Sequence, residues 1–279
     1  MRVLRESPAY AELVFHVLAH VRVDAPASLY DPIWVSLAER QLGPASARTL
    51  AEDAGALGVL APDHAALAGA QLVAWLFRDL ERASACAARP LEELGASDVE
   101  APELLAPLVR AGHAAELLRL AAELETPFFR RLPEPAVDHA SVEAALDTVA
   151  RAAPELARCT IALLRPLRMR GRVRGDRIWV GVPDAERGPS PEHVAWQAAH
   201  EATVREVGAR PGIAERRVEQ MAVVLLAARA ERAGERAAHR RWLAHFGDNA
   251  PATGEETLSA DERARVHSLI AAGEARSGT

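Results

Sequence analysis

The residues that most suggest chemistry lie in the stretch AWQAAHEATVREV, residues 195–207. Two histidines four residues apart on one helical face can bind zinc, and a glutamate beside the first can activate the metal-bound water. His200 and Glu201 fit this pattern, but Val204 occupies the position of the second histidine. Because valine cannot ligate a metal, the segment predicts a metal site with a substitute ligand, a scaffold that has lost its chemistry, or an ordinary helix.

The elements around this stretch resemble the core of the zincin metallopeptidases, particularly those whose third zinc ligand is a glutamate on the following helix. The resemblance covers residues 158–232, where a strand-rich segment precedes the helix at 191–207 and the next helix carries Glu215 and Glu219. It implies an antiparallel sheet with an exposed edge strand ahead of the metal helix. Since Val204 departs from the family pattern, the resemblance implies a peptide groove without hydrolysis. The sequence therefore favours a protein that is not an enzyme.

An arginine-rich segment precedes that helix, and its alternation predicts strands near 158–164, 167–173 and 177–182, with a turn at Gly175-Asp176. A period of two would place four arginines on one face. Within the resemblance, residues 177–182 are the edge strand with which an extended peptide would pair. Because arginine binds carboxylates and phosphates in a bidentate manner, the expected ligand is an acidic peptide or a phosphate group, whereas the alternative is a solvated sheet face. The candidate peptide-binding residues are Arg168, Arg170, Arg172, Arg174, Arg177, Ile178, Trp179 and Val180.

A polar stripe marks the first predicted helix. Glu12, His16 and His20 are spaced four residues apart in an otherwise apolar segment. The stripe either faces solvent or lines a polar cleft together with His200, and adjacent members could bind a metal there. No cofactor is the first expectation, with zinc as the alternative and Glu201 as its general base. The candidate metal ligands are His16, His20, His200 and Glu219.

Helical periodicity dominates the chain, so the expected fold is α+β and predominantly α. A helical domain over residues 1–132 is followed by a mixed region over residues 138–275, and Pro133 and Pro135 mark the boundary. The mixed region is expected to hold a small antiparallel sheet and then a helix bundle, with a zincin-like core. The expected helices of that bundle are 191–207, 212–233, 235–246 and 259–272.

Composition narrows the classes of function. The chain has 279 residues, of which 49% are hydrophobic and 26% charged, as is typical of soluble globular proteins. The net charge of −6, and arginines that do not alternate with aromatic residues, argue against nucleic acid as a partner. Two cysteines without a CxxC motif favour the cytoplasm, and no apolar run approaches the roughly 20 residues of a membrane span.

Three functions therefore remain open from the sequence. The first is a non-catalytic peptide-binding protein on a degenerate metallopeptidase-like scaffold, which presents a substrate or precursor peptide to a partner enzyme. The second is a metal-dependent hydrolase that uses His200 and Glu201. The third is a helical protein-interaction module. A homodimer is compatible with each of them.

Overall fold

The computed structural model describes residues 2–3, 9–20, 30, 32–43, 52, 70–77, 79–112, 114–129, 138–165, 167, 171–181, 190–245 and 251–277. Helices dominate, as the sequence predicts, and the α+β, predominantly α, fold is confirmed. The first half contains strand β1 (Arg2–Val3) and helices α1 (Ala9–His20), α2 (Pro32–Leu42), α3 (Leu80–Ala87), α4 (Leu105–Ala111) and α5 (Ala114–Phe129). The second half contains α6 (His139–Val149), β2 (Thr160–Leu164), β3 (Gly171–Arg174), β4 (Arg177–Gly181), α7 (Pro191–Gly208), α8 (Glu215–Arg232), α9 (Arg236–Ala244) and α10 (Ala260–Ser277).

The four strands form one mixed sheet in the order β1-β2-β4-β3. Among these four described strands, only β3 and β4 pair in an antiparallel manner, because the predicted two-residue turn joins them and Gly175 adopts a φ of 57° there. β2 pairs in parallel with both β1 and β4. The expectation of an antiparallel sheet is therefore wrong for these two pairs. After β2, the chain first forms β3 at the outer position of the sheet, and β4 then inserts between β2 and β3.

The position of β4 corrects a second expectation. β4 lies between β2 and β3, so its backbone pairs on both sides and the predicted edge strand at 177–182 is not an edge over Arg177–Gly181. Val182 lies outside the described residues. Because the hairpin folds β3 back along β4, the outer position on this side of the sheet belongs to β3.

The sheet separates two hydrophobic cores. Ala162, Leu164 and Trp179 face the core built with the helices of the first half, and Trp179 stacks on Trp75 with ring centroids 3.7 Å apart. The alternate residues of β2 and β4, among them Ile178 and Val180, face the core built with α6 and α7. The side chains of Ile178, Trp179 and Val180 are consequently buried. The prediction that they contact a peptide at the surface is therefore wrong.

α7 runs through the centre of the second half, and residues on all of its faces are buried. Its start is local in origin: the Ser190 side chain accepts a hydrogen bond from the His193 backbone N–H, and Pro191 takes the first helical position. Its later turns pack with α8 and α10 in a third core that includes Val207, Met221 and Ile270.

Two further expectations concern the division of the chain and its relation to membranes. Pro133 and Pro135 lie outside them, so a division of the chain near residue 132 stays a prediction. None of the described helices combines the length and apolarity needed to cross a membrane.

Candidate functional site

A cavity of about 40 Å³ lies beside the middle of α7, where this helix meets β3. The volume suits a few water molecules or one small side-chain group. His200, Glu201 and Glu219, all singled out in the sequence, share its wall. The lining residues are Gly171, Arg172, Gln197, His200, Glu201, Glu219, Trp242 and Pro251.

Glu201 is held in the cavity wall by its neighbours. Its Oε1 accepts a hydrogen bond of 3.0 Å from Nε2 of Gln197, one helical turn earlier. On the other side, β3 approaches so closely that a Cβ at Gly171 would lie 2.7 Å from Oε1 of Glu201, a distance that real Cβ contacts do not show. A glycine at position 171 is therefore what lets the strand pass over this carboxylate.

Of the expected metal ligands, His200 and Glu219 line the same cavity, but no third ligand joins them among the described residues. Among the described residues, no three His, Cys, Asp or Glu side chains are arranged to hold a metal ion. Val204 packs against the third core with Ile213 and Val218, so an apolar contact occupies the position of the missing histidine. His16 is not among the described residues that line the cavity, and the side chain of His20 lies outside the description.

Two members of the polar stripe on α1, Glu12 and His16, turn inward rather than toward solvent. Glu12 and His16 are fully buried, so the solvent-face interpretation is wrong for both. Glu12 accepts hydrogen bonds from Nε and Nη2 of Arg165, at 3.0 and 2.6 Å, and from the Arg165 backbone N–H. The same guanidinium lies 4.6 Å from the ring centre of Trp34. This buried pair ties α1 to the end of β2, which is a structural role.

Two of the candidate peptide-binding arginines, Arg172 and Arg177, are bonded to other residues of the protein. Arg168 and Arg170 lie outside the described residues. Arg172 donates from Nε to Gln71 Oε1 at 3.0 Å and from Nη1 to the Gly171 carbonyl at 2.8 Å. Arg177 pairs with Glu100 at 2.5 Å. Arg172 and Arg177 thus join the sheet to the first half, and of the three described arginines on β3 and β4 only Arg174 is exposed.

A seam of histidine and tryptophan rings joins α7 to α9. Ring centroids are 5.1 Å apart for His193 and His245 and 5.1 Å for Trp196 and His239. His200 and Trp242, which both line the cavity, are 5.7 Å apart.

Two histidines of this seam are held neutral. Burial lowers the pKa of His193 to about 4, and His245 adds to the shift. Burial likewise lowers the pKa of His239 to about 4, with His200 contributing. Both side chains are therefore neutral at neutral pH, because burial disfavours their charged forms.

Sequence reasoning missed four of the residues that line this cavity, namely Gly171, Gln197, Trp242 and Pro251. Gln197 could have been found, since it precedes Glu201 by one helical turn on the same face. Gly171 and Trp242 carried no local signal, because their roles depend on how β3 and α9 pack against α7.

No protein-family model, curated protein or solved structure matches this chain. The zincin resemblance inferred from residues 158–232 accordingly stays a prediction, and the function is argued from the geometry of the site.

Proposed function

We propose that this protein binds an extended acidic peptide along β3 and does not cleave it. The observation that carries the proposal is the place of β3, one of the two outer strands of the described sheet, directly beside the His200–Glu201 cavity. Peptides that add to a sheet edge gain affinity from main-chain hydrogen bonds and specificity from adjacent pockets. An outer strand next to a cavity offers both.

The charge of the strand supports an acidic ligand. Arg174 is exposed at the end of β3, and Arg172 lies at the cavity, where its guanidinium is already bonded to Gln71. A carboxylate of the peptide would meet Arg174 in a partly solvated setting. The selectivity expected from this contact is therefore modest and sensitive to salt.

The chemistry of the cavity walls supports binding without cleavage. Hydrolysis by a His-Glu helix requires a zinc ion held by three protein ligands. Val204 supports an apolar core instead, and Glu201 is hydrogen-bonded to Gln197. A peptide bound at an outer strand keeps one long side accessible, which suits the presentation of a substrate or precursor peptide to a partner enzyme.

Calorimetric titration with a short synthetic peptide that alternates glutamate with valine tests the proposal. The charge-reversed Arg174→Glu should weaken binding by about three- to tenfold, because an exposed charge contact contributes little in water. The matched control is Arg110→Glu, which changes an exposed arginine on α4 in the first half and should leave the affinity unchanged. Equal binding by Arg174→Glu and the parent, or no binding of the peptide, would contradict the proposal.

A metal-dependent hydrolase is the second candidate, and one observation favours it. His200, Glu201 and Glu219 line the same cavity although they come from two helices. Zinc titration of the parent and of His200→Gln distinguishes the two functions. Stoichiometric zinc binding that His200→Gln abolishes, together with cleavage of the peptide, would replace the binding proposal.

A further inference from the structure

A second concavity lies at the C-terminal end of α7 and shares no lining residue with the His200–Glu201 cavity. It is an open cleft of about 260 Å³ between the last turn of α7 and the short 3-10 helix Pro154–Arg158. Three of its lining side chains are arginines, although the whole chain carries a net charge of −6. The lining residues are Glu155, Arg158, Arg205, Glu206, Ala209 and Arg210.

The carboxylates of the cleft do not balance these arginines. Glu206 forms a buried ion pair with Arg229. The Nη1 and Nη2 groups of Arg229 donate hydrogen bonds of 2.6 and 3.1 Å to the two carboxylate oxygens of Glu206. Glu155 lies 3.6 Å from Nη1 of Arg158 and 3.7 Å from Nη1 of Arg205, both longer than a hydrogen bond. Two carboxylates, of which Glu206 is already paired with Arg229, therefore face three guanidinium groups.

The guanidinium groups also retain donor capacity. Within the part of the chain that the structure describes, neither Arg158 nor Arg210 donates a side-chain hydrogen bond, and the Arg205 guanidinium lies near the Cys159 thiol and Glu155. Arginine presents its N–H groups in a fork that matches the oxygens of phosphate. Donors from two separate elements thus converge on a space large enough for such a group.

We infer that this cleft binds a phosphate dianion, either free or as the monoester of a small molecule. A dianion is favoured over a single carboxylate because it must compete with Glu155 for Arg158 and Arg205. Cations in the last turn of a helix also stabilise its C-terminus. That role accounts for Arg205 and Arg210, but it needs neither Arg158 from another element nor a concave surface.

The test is calorimetric titration at constant ionic strength with inorganic phosphate, glycerol phosphate and, as the monoanion control, acetate. Phosphate should bind and acetate should not. Arg158→Ala and Arg210→Ala should each raise the dissociation constant roughly tenfold, as expected for a lost charge-assisted hydrogen bond. The matched control Arg216→Ala changes an exposed arginine at the start of α8 and should leave binding unchanged.

A fourth variant tests the competition directly. Glu155→Gln removes the charge that opposes the ligand, so phosphate should bind it more tightly than the parent. Tighter binding of glycerol phosphate than of phosphate would assign the cleft to a monoester, and equal binding would assign it to the free ion. Equal affinity for acetate, unchanged binding in Arg158→Ala, or no phosphate binding at all would each overturn the inference.

Discussion

Acidification should weaken the attachment of α9 to α7, and the histidine seam defines the pH range. His193 and His239 are each 3% exposed, and their pKa values fall from 6.5 to about 4 on folding. The unfolded chain therefore takes up protons at a higher pH than the folded chain does. Stability is fully present above about pH 6.5 and is lost as the pH falls toward about 4, below which these two groups add no further change.

The size of the loss follows from the two pKa shifts. At about pH 5, the unfolded state binds protons more strongly than the folded state. This difference lowers the free energy of unfolding by roughly 2 kcal/mol per histidine, or by about 4 kcal/mol for both. Glu262 also contributes to stability, but this contribution is lost only at lower pH. Hydrogen bonds from Arg217 and Ser259 lower the pKa of Glu262 from 4.5 to about 2. Between about pH 6.5 and pH 4.5 the histidines should therefore dominate the pH dependence.

Urea unfolding at about pH 7 and about pH 5, followed by circular dichroism and tryptophan fluorescence, measures this loss. The double variant His193→Phe and His239→Phe keeps aromatic rings in the seam but cannot take up a proton. It should lose most of the pH dependence in this range. His267→Gln, at an exposed position on α10, is the matched control and should behave like the parent. A double variant with the same pH dependence as the parent would refute the reasoning.

Three further outcomes are expected. Gly171→Ala should lower the free energy of unfolding by about 1–3 kcal/mol and weaken peptide binding, because the new methyl group meets Glu201; urea unfolding with parent-like stability would contradict this. Glu12→Gln should cost about 3–5 kcal/mol, since it leaves the buried charge of Arg165 without its partner, and thermal unfolding at an unchanged temperature would count against it. Protein purified without added metal should contain less than one zinc per chain, because Val204 serves an apolar core; elemental analysis that finds stoichiometric zinc after dialysis against a mild chelator would oppose this.

Local signals predicted much of the fold. Ser190 and Pro191 encode the start of α7, and the alternating segment with Gly175 encodes the β3–β4 hairpin, since caps and tight turns depend on a few neighbouring residues. Parallel pairing of β2 with β4 could not be predicted in this way. It depends on which strand takes the outer place once the hairpin has formed.

The candidate site shows the same division. The pairing of Gln197 with Glu201 follows from helical spacing and was open to prediction. The burial of Glu12 was not, because its partner Arg165 is 153 residues away in the chain. The closeness of Gly171 to Glu201 likewise depends on the packing of a strand against a helix.

Hydrogen exchange with and without the acidic peptide tests the central claim most directly. If the peptide adds to the outer strand, those amides of Gly171–Arg174 that point away from β4 should exchange more slowly when it is bound. Those of Arg177–Gly181 should change little, because β4 already pairs on both sides. Mass spectrometry of the same samples should recover the peptide intact. Protection confined to the helices of the first half, unchanged exchange along β3, or a cleaved peptide would contradict the account.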